Sequence, residues 1–145
     1  MLKEISHHPN RFFEILPKDW QESIIPYWQE LKEDAKIYII EDDQEILVGG
    51  MVFSSMIPEM NKYAEEALSW YAKDYLYIGY LWVSEKNRGK NWGSRWLEEL
   101  RTLDKNQKYW LTIEEEGLKG FYLKNNFKHI KRLEYDGLKE ELFAD

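Results

Sequence analysis

The sequence contains no cysteine and only four prolines among its 145 residues. Without cysteine there can be no disulfide, no thiolate-bound metal and no covalent thioester on a Cys nucleophile. Long apolar runs are also missing, since the longest, residues 75–83, reaches about half of the ~20 residues that a membrane-spanning helix needs. The first ten residues lack the apolar stretch of a signal peptide. These absences predict a cytoplasmic protein without a membrane segment.

Basic residues are outnumbered, because 20 Lys and Arg face 27 Asp and Glu, which gives a net charge of −7. Such a surface repels phosphate backbones, so we expect no nucleic-acid partner. His7, His8 and His129 fall outside any metal-ligand spacing, and the acidic run 114–116 is typical of the first turn of a helix. We therefore expect no bound metal.

Apolar residues are plentiful, at 43% of the sequence, and aromatic residues make up 16% with seven tryptophans. This composition supports a packed core in one ordinary domain. No linker rich in Ser, Gly or Pro and no internal repeat divides the chain. The sequence thus predicts a single domain over residues 1–145.

Hydrophobic periodicity alternates between helix and strand along the chain. Helices are predicted over residues 9–16, 20–31 with Asp19 as the cap and a kink or split at Pro26, 58–73, 92–103 and 117–124. Strands are predicted over residues 36–40, 45–53, 74–83, 108–113, 127–133 and 138–143. Gly49 and Gly50 indicate a bulge or a close approach within the second strand. The order is helices, hairpin, then strand, helix, strand, helix, strand, strand.

The turn that follows the central strand, residues 84–94, carries three cationic side chains and two glycines and leads into an amphipathic helix. A helix N-terminus presents unpaired N–H groups and a partial positive charge, which suit a phosphate group. The turn lacks the Gly-Lys-Ser/Thr ending of a Walker A loop and the G-x-G-x-x-G of a dinucleotide site. It therefore predicts an anion site for a ligand other than ATP or NAD.

Two segments resemble a known family. Residues 81–97 resemble the acyl-CoA signature of the GNAT superfamily of N-acyltransferases, R/Q-x-x-G-x-G/A after a strand that ends in apolar-x-Val. Residues 121–127, Phe-Tyr-Leu-Lys-Asn-Asn-Phe, are similar to the family's Phe-Tyr-Glu-Lys-x-Gly-Phe segment. The resemblance implies the GNAT-like α/β (α+β) fold, with a mixed central sheet of about six to seven strands flanked by helices.

The resemblance also implies a cofactor site and catalytic roles. Acetyl-CoA, as co-substrate, would be bound by Leu81, Trp82, Val83, Arg88, Gly89, Lys90, Asn91, Trp92, Gly93 and Ser94. The backbone N–H near Val83 would hold the thioester carbonyl, and Tyr122 would protonate the departing thiolate. Some family members carry, on the central strand, a Glu that acts as the general base, and this chain has Tyr77 at that position. Glu114 is then the best remaining carboxylate for a general base.

Three positions depart from the family pattern. Asn91 and Asn126 stand where the two segments have glycine, and Glu115 stands where the family often has Asn. Asparagine is among the non-glycine residues least penalised at positive φ, so the backbone shape would survive both glycine replacements if these positions are left-handed. A Cβ at Asn91 would weaken binding if the pyrophosphate comes close there.

The leading interpretation is an N-acetyltransferase that moves an acetyl group directly to a primary amine, on a small molecule or a peptide, in a ternary complex. Tyr63, Trp70 and Tyr71 are candidates for an aromatic surface that receives a cationic amine, with core packing as the alternative. Two other functions stay open: a non-catalytic acyl-CoA-binding or regulatory module of the same fold, and a ligand-free protein-interaction domain. A homodimer is among the possible assemblies.

Overall fold

The strands and helices follow one another in the order that the periodicity predicts. The computed structural model describes all residues from Met1 to Asp145. The strands are β1 (Lys3–Glu4), β2 (Ala35–Asp42), β3 (Glu45–Phe53), β4 (Leu76–Val83), β5 (Tyr109–Ile113), β6 (Lys128–Tyr135) and β7 (Leu138–Ala144). The α-helices are α1 (Pro9–Phe13), α2 (Lys18–Ile24), α3 (Trp28–Leu31), α4 (Ala64–Ala72), α5 (Trp92–Leu103) and α6 (Lys119–Lys124). Short 3-10 helices cover Ile25–Tyr27, Lys32–Asp34, Pro58–Tyr63, Glu85–Asn87 and Glu116–Leu118.

The seven strands form a mixed sheet in the order β1-β2-β3-β4-β5-β7-β6. The β4–β5 pair is parallel, whereas the β1–β2, β2–β3, β5–β7 and β6–β7 pairs are antiparallel. The predicted fold class is confirmed. Strand β1 was not predicted from the periodicity, because its two exposed residues carry no apolar pattern. It forms by pairing with β2.

The chain divides into two compact units. The first unit comprises Met1–Phe53 and Ile78–Lys105, and the second comprises Ser54–Tyr77 and Asn106–Asp145. Strand β4 contributes its first two residues to the second unit and the rest to the first unit. A single domain over residues 1–145 stays a prediction.

In the first unit, the hairpin of β2 and β3 is approached closely by two aromatic side chains. A Cβ added at Gly49 would lie 2.5 Å from Phe12 Cε1, and one added at Gly50 would lie 2.6 Å from Trp96 Cζ2. The two glycines therefore allow α1 and α5 to pack against β3. Of the two alternatives predicted for them, a bulge or a close approach, the structure shows the close approach. The bulge of this hairpin lies elsewhere, between Ile40 and Glu41.

Proline shapes the helices of the first unit. Helix α2 ends at Ile24, Pro26 lies in the 3-10 helix Ile25–Tyr27, and α3 begins at Trp28, so the predicted helix is split. The predicted cap was wrong. Pro17 stands at the N-cap of α2 with extended backbone, and Asp19 lies inside the first helical turn, where its charge complements the helix dipole.

In the second unit, α4 packs over one face of the β5–β7 ladder and α6 over the other. Helix α4 buries Trp70, which is 7% exposed, and leaves Leu68 55% exposed. The preceding segment, Pro58–Tyr63, is a 3-10 helix with three residues per turn, so the predicted helix over residues 58–73 does not keep one α-helical phase along its length. None of the helices in the molecule has both the length and the apolar composition needed to cross a bilayer.

Candidate functional site

The turn between β4 and α5 is left-handed at two positions. Asn91, the N-cap of α5, has φ 65° and ψ 19°, and Gly89 has φ 79° with open space around it. Both values lie in the region that favours glycine, and Asn tolerates it better than other residues with a side chain. Asn91 therefore preserves the backbone conformation for which the family pattern has glycine.

Buried hydrogen bonds fix this turn to β3. Asn87, only 8% exposed, donates from Nδ2 to Ser84 Oγ at 2.6 Å and to Glu45 Oε2 at 3.1 Å. The Ser84 N–H donates to the Leu47 carbonyl at 3.1 Å. Lys86 pairs with Glu45 at 2.8 Å, and its hydrogen bond, followed by that of Asn87, lowers the pKa of the Glu45 carboxyl. The turn is thus held in one shape before any ligand arrives.

Two cations of the turn project from this fixed backbone. The Arg88 guanidinium lies 4.6 Å from the centre of the Trp82 ring, and its Nε donates to the Val83 carbonyl at 3.2 Å. Lys90 is exposed. Helix α5 begins at Trp92 without a side-chain cap from Asn91, and first-turn N–H groups of a helix have no intrahelical acceptor. This arrangement is chemically suited to a diphosphate group.

Strand β4 carries a strained residue just before the predicted carbonyl-binding stretch. Tyr80 has φ 57°, a conformation that costs of order 1–3 kcal/mol for a residue with a side chain. Ser23 Oγ, at 2.7 Å from the Tyr80 hydroxyl, and the edge-on rings of Trp20 and Phe53 hold it there. The apolar run of β4 gave no sign of this irregularity. The left-handed backbone at Tyr80 interrupts the regular pleating of β4 before its last residues, which end at Val83.

Tyr122 lies in α6 and is buried between the rings of Phe127 and Phe143, at centroid distances of 5.8 and 6.0 Å. Burial raises its pKa, so the phenol remains protonated across the neutral range. The residues after α6 form a Schellman cap, with Asn126 N–H on Leu123 O and Phe127 N–H on Tyr122 O. Asn126 has φ 70°, as this cap requires. The cap and its Phe127–Tyr122 contact position the catalytic candidate.

The remaining predicted residues have separate surroundings. Glu114 and Glu115 are exposed after β5, and Glu115 precedes the 3-10 helix Glu116–Leu118. Trp70 stacks on Trp110 at 6.3 Å, and the Tyr71 hydroxyl donates to the Ser55 carbonyl at 2.9 Å. Trp70 and Tyr71 therefore serve the core, the alternative that the sequence left open.

One further candidate for a functional residue was not predicted from the sequence. Glu140, in β7, is only 9% exposed and accepts a hydrogen bond from Thr112. Thr112 Oγ1 also lies 3.0 Å from the Tyr77 hydroxyl and 3.4 Å from the Tyr63 hydroxyl. A signal was available, because two adjacent glutamates in a strand must point to opposite faces. No group of three or more His, Cys, Asp or Glu side chains in the molecule is arranged to hold a metal ion.

Comparisons with known proteins agree with the fold. The family model described as "Acetyltransferase (GNAT) family" matches residues 2–127. No curated protein sequence matches the chain. An N-acetyltransferase from Staphylococcus aureus Mu50 is similar in structure, with 15% identity, a TM-score of 0.68 and full coverage of both chains.

Two further solved structures share the fold. An aminoglycoside 6'-N-acetyltransferase complexed with coenzyme A has 12% identity and a TM-score of 0.73, with 100% of this chain and 96% of that chain covered. FeeM, an N-acyl amino acid synthase from uncultured soil microbes, has 13% identity and a TM-score of 0.71, with 99% and 93% covered. The family match over most of the chain identifies the protein as a member of the GNAT acetyltransferase family, an acyl-CoA-dependent N-acyltransferase.

Proposed function

We propose that the protein transfers an acetyl group from acetyl-CoA directly to a primary amine within a ternary complex, in the cytoplasm. The observation that carries the proposal is the preformed turn of residues 84–94, with left-handed Asn91 at the start of α5. The absence of cysteine supports direct transfer, because no thiol nucleophile is available to carry the acetyl group.

The turn is proposed to bind the pyrophosphate of the co-substrate. Its ligands would be the backbone from Arg88 to Ser94, through Gly89, Lys90, Asn91, Trp92 and Gly93. The cations Arg88 and Lys90 add charge, and the α5 N-terminus adds its partial positive charge. Leu81, Trp82 and Val83 would flank the pantetheine arm, with the Val83 N–H donating to the thioester carbonyl as negative charge develops on its oxygen.

Tyr122 is proposed as the general acid. The neutral amine attacks the thioester carbon, the C–S bond breaks, and the thiolate takes the phenolic proton. The amide nitrogen then loses its extra proton, and the phenolate regains a proton from solvent. The buried phenol is protonated at every pH at which the enzyme would work, because burial raises its pKa.

Proton removal from the incoming amine needs a separate base. The sequence favours Glu114, which is exposed at the carboxyl end of β5 and would act directly or through a water molecule. The structure adds a second carboxylate in the same unit, Glu140, whose surroundings differ sharply. The acceptor itself is proposed to be a cationic amine on a small molecule or a peptide.

Ligand-dependent melting and two-substrate kinetics test the proposal. A ligand that binds only the native state raises the apparent stability, by about 2.7 kcal/mol at a hundredfold excess over Kd. We expect acetyl-CoA and CoA to raise the melting temperature, and ATP and NADH at equal concentration to leave it unchanged. Initial rates should give intersecting double-reciprocal lines. Parallel lines would contradict direct transfer, and stabilisation by all four ligands would contradict a specific CoA site.

A further inference from the structure

A chain of hydroxyl groups leads to a buried carboxylate in the second unit. Thr112 lies next to Leu142 across the β5–β7 ladder, so its side chain shares a face with Glu140, two residues along β7. The Tyr77 hydroxyl reaches Thr112 from β4 at 3.0 Å, and the Tyr63 hydroxyl reaches it from the Pro58–Tyr63 helix at 3.4 Å. Three elements and β7 therefore converge on one side-chain oxygen.

The chemistry of these groups orients the hydrogen bonds. An ionised carboxylate only accepts, so Thr112 donates its single hydroxyl proton to Glu140. The lone pairs of Thr112 Oγ1 are then left to accept from the tyrosine hydroxyls, with Tyr77 at the shorter distance. The hydrogen bonds therefore all point in one direction, from the tyrosine hydroxyls through Thr112 to Glu140. Such a network strengthens each bond along it.

The surroundings favour uptake of a proton by Glu140. Burial raises the pKa of its carboxyl, and the negative charges of Glu114 and Glu59 raise it further. The Thr112 hydrogen bond and the Lys62 ammonium act in the opposite direction. The raising effects prevail, and a carboxylate with a raised pKa is a stronger base than a solvated one.

We propose that Glu140 is the general base of the acetyl transfer, accepting a proton from the ammonium form of the acceptor, with Thr112, Tyr77 and Tyr63 as positioning residues. This assignment rests on the proposed function. The N–H bond of the ammonium breaks and an O–H bond forms on Glu140, which leaves a neutral amine with a free lone pair. The proton leaves to solvent after the product departs.

The Nε1 of Trp110, on the same face of β5 as Thr112, has no hydrogen-bond partner. Trp110 is fully buried, and its N–H is the one enclosed side-chain polar atom in the molecule that has no hydrogen-bond partner. Its ring lies 4.6 Å from that of Tyr77 and 6.5 Å from that of Tyr63. A buried donor without an acceptor is unfavourable, and a water molecule or an acceptor group would satisfy it.

The acid and the base would then work from opposite faces of β7. Glu140 shares its face with Leu142, whereas Tyr122 packs on Phe143, which points the other way. The two groups therefore have separate surroundings and do not compete for the same proton.

The test compares Glu140→Gln with the wild-type enzyme on an amine that the wild type acetylates. Gln keeps the shape and can still accept from Thr112, but it cannot take up a proton. We expect kcat/KM at pH 7 to fall about 100-fold, in line with the loss of a general base. The rate of the variant should recover as the pH approaches the pKa of the amine, because the neutral amine then needs no base. Stabilisation by acetyl-CoA should be unchanged.

Three comparisons make the outcome decisive. Glu141→Gln, the neighbouring carboxylate on the opposite face of β7, should keep the wild-type pH profile. Thr112→Val should lower kcat/KM less than Glu140→Gln and shift the acidic limb of the profile, as expected of a positioning residue. A Glu140→Gln enzyme with the wild-type rate and profile, or a Glu114→Gln enzyme that loses activity in its place, would overturn the assignment. A wild-type enzyme inactive with every amine would instead overturn the proposed function, and this assignment with it.

Discussion

Asparagine occupies two positions at which the backbone turns left-handed, Asn91 before α5 and Asn126 after α6. A β-branched residue there should cost about 1–2 kcal/mol, because its Cβ crowds the carbonyl oxygen. We expect Asn91→Val and Asn126→Val to lower the free energy of unfolding by this amount in urea. Asn91→Gly should fold normally and bind acetyl-CoA at least as tightly as the wild type.

The affinity for acetyl-CoA separates the two asparagines. Only Asn91 lies in the proposed pyrophosphate turn. Asn91→Val should therefore also weaken acetyl-CoA binding in calorimetric titration, whereas Asn126→Val should not. Equal affinities in the two valine variants would show that the conformation at Asn91 is irrelevant to the co-substrate. Weaker binding by Asn91→Gly would contradict the proposed backbone cradle.

Tyr122 offers a second test at the level of one atom. Tyr122→Phe removes the phenolic hydroxyl and keeps the ring that packs on Phe127 and Phe143. We expect kcat to fall about 100-fold with the acetyl-CoA KM and the melting temperature nearly unchanged. Because burial raises the pKa of Tyr122, the wild-type rate should show no loss from ionisation of this group up to pH 9. An unchanged kcat in the variant would remove Tyr122 from the mechanism.

Strand β7 carries adjacent glutamates in opposite electrostatic settings. Burial raises the pKa of Glu141, but hydrogen bonds from Arg132 and His129, both at 2.7 Å, outweigh burial and leave the pKa lowered. Glu141 therefore stabilises the fold at neutral pH, and this contribution is lost as the pH falls through its folded pKa. The pKa of Glu140 is raised in the folded protein. Above the pKa that this carboxyl has in the unfolded chain, its ionisation therefore lowers the stability of the fold.

Melting of the two Gln variants across pH checks these opposite signs. At pH 7, Glu141→Gln should melt below the wild type and Glu140→Gln at or above it. Both differences should shrink in acid, where the wild-type carboxyls are protonated. Destabilisation by Glu140→Gln at pH 7 would indicate that the hydroxyl chain is held for stability, against a role as a base.

Helix α5 depends on the absence of a side chain at Gly50. Trp96 is fully buried and its Nε1 donates to the Tyr38 carbonyl at 2.9 Å, so the ring cannot give way to a Cβ at 2.6 Å. We expect Gly50→Ala to lower the free energy of unfolding by about 1–3 kcal/mol. Gly120→Ala is the matched control, since open space surrounds that position in α6, and it should cause no loss. Equal stabilities for the two variants would contradict close packing of α5 on β3.

At the scale of the whole molecule, the order of elements was predictable from the sequence, because apolar periodicity distinguishes helices from strands. The turn between β4 and α5 was also predictable, since its glycines and cations lie within a few neighbouring positions, and its role in binding phosphate stays a proposal. Glu140 was predictable only in part. Strand alternation places it on the face opposite to Glu141, but its contact with Thr112 depends on the register between β5 and β7, which pairs Thr112 with Leu142. The same limit applies to Tyr80, whose left-handed backbone is held by Ser23 and Trp20, far away in the chain.

Amine-dependent release of thiol from acetyl-CoA tests the central claim most directly. Purified full-length protein would be incubated with acetyl-CoA and each member of a panel of primary amines, with free CoA measured by a thiol reagent and the product by mass. We expect at least one amine to accelerate thiol release and to gain one acetyl group for each CoA formed. Binding of acetyl-CoA without thiol release for any amine, or release at the same rate with and without amine, would contradict it.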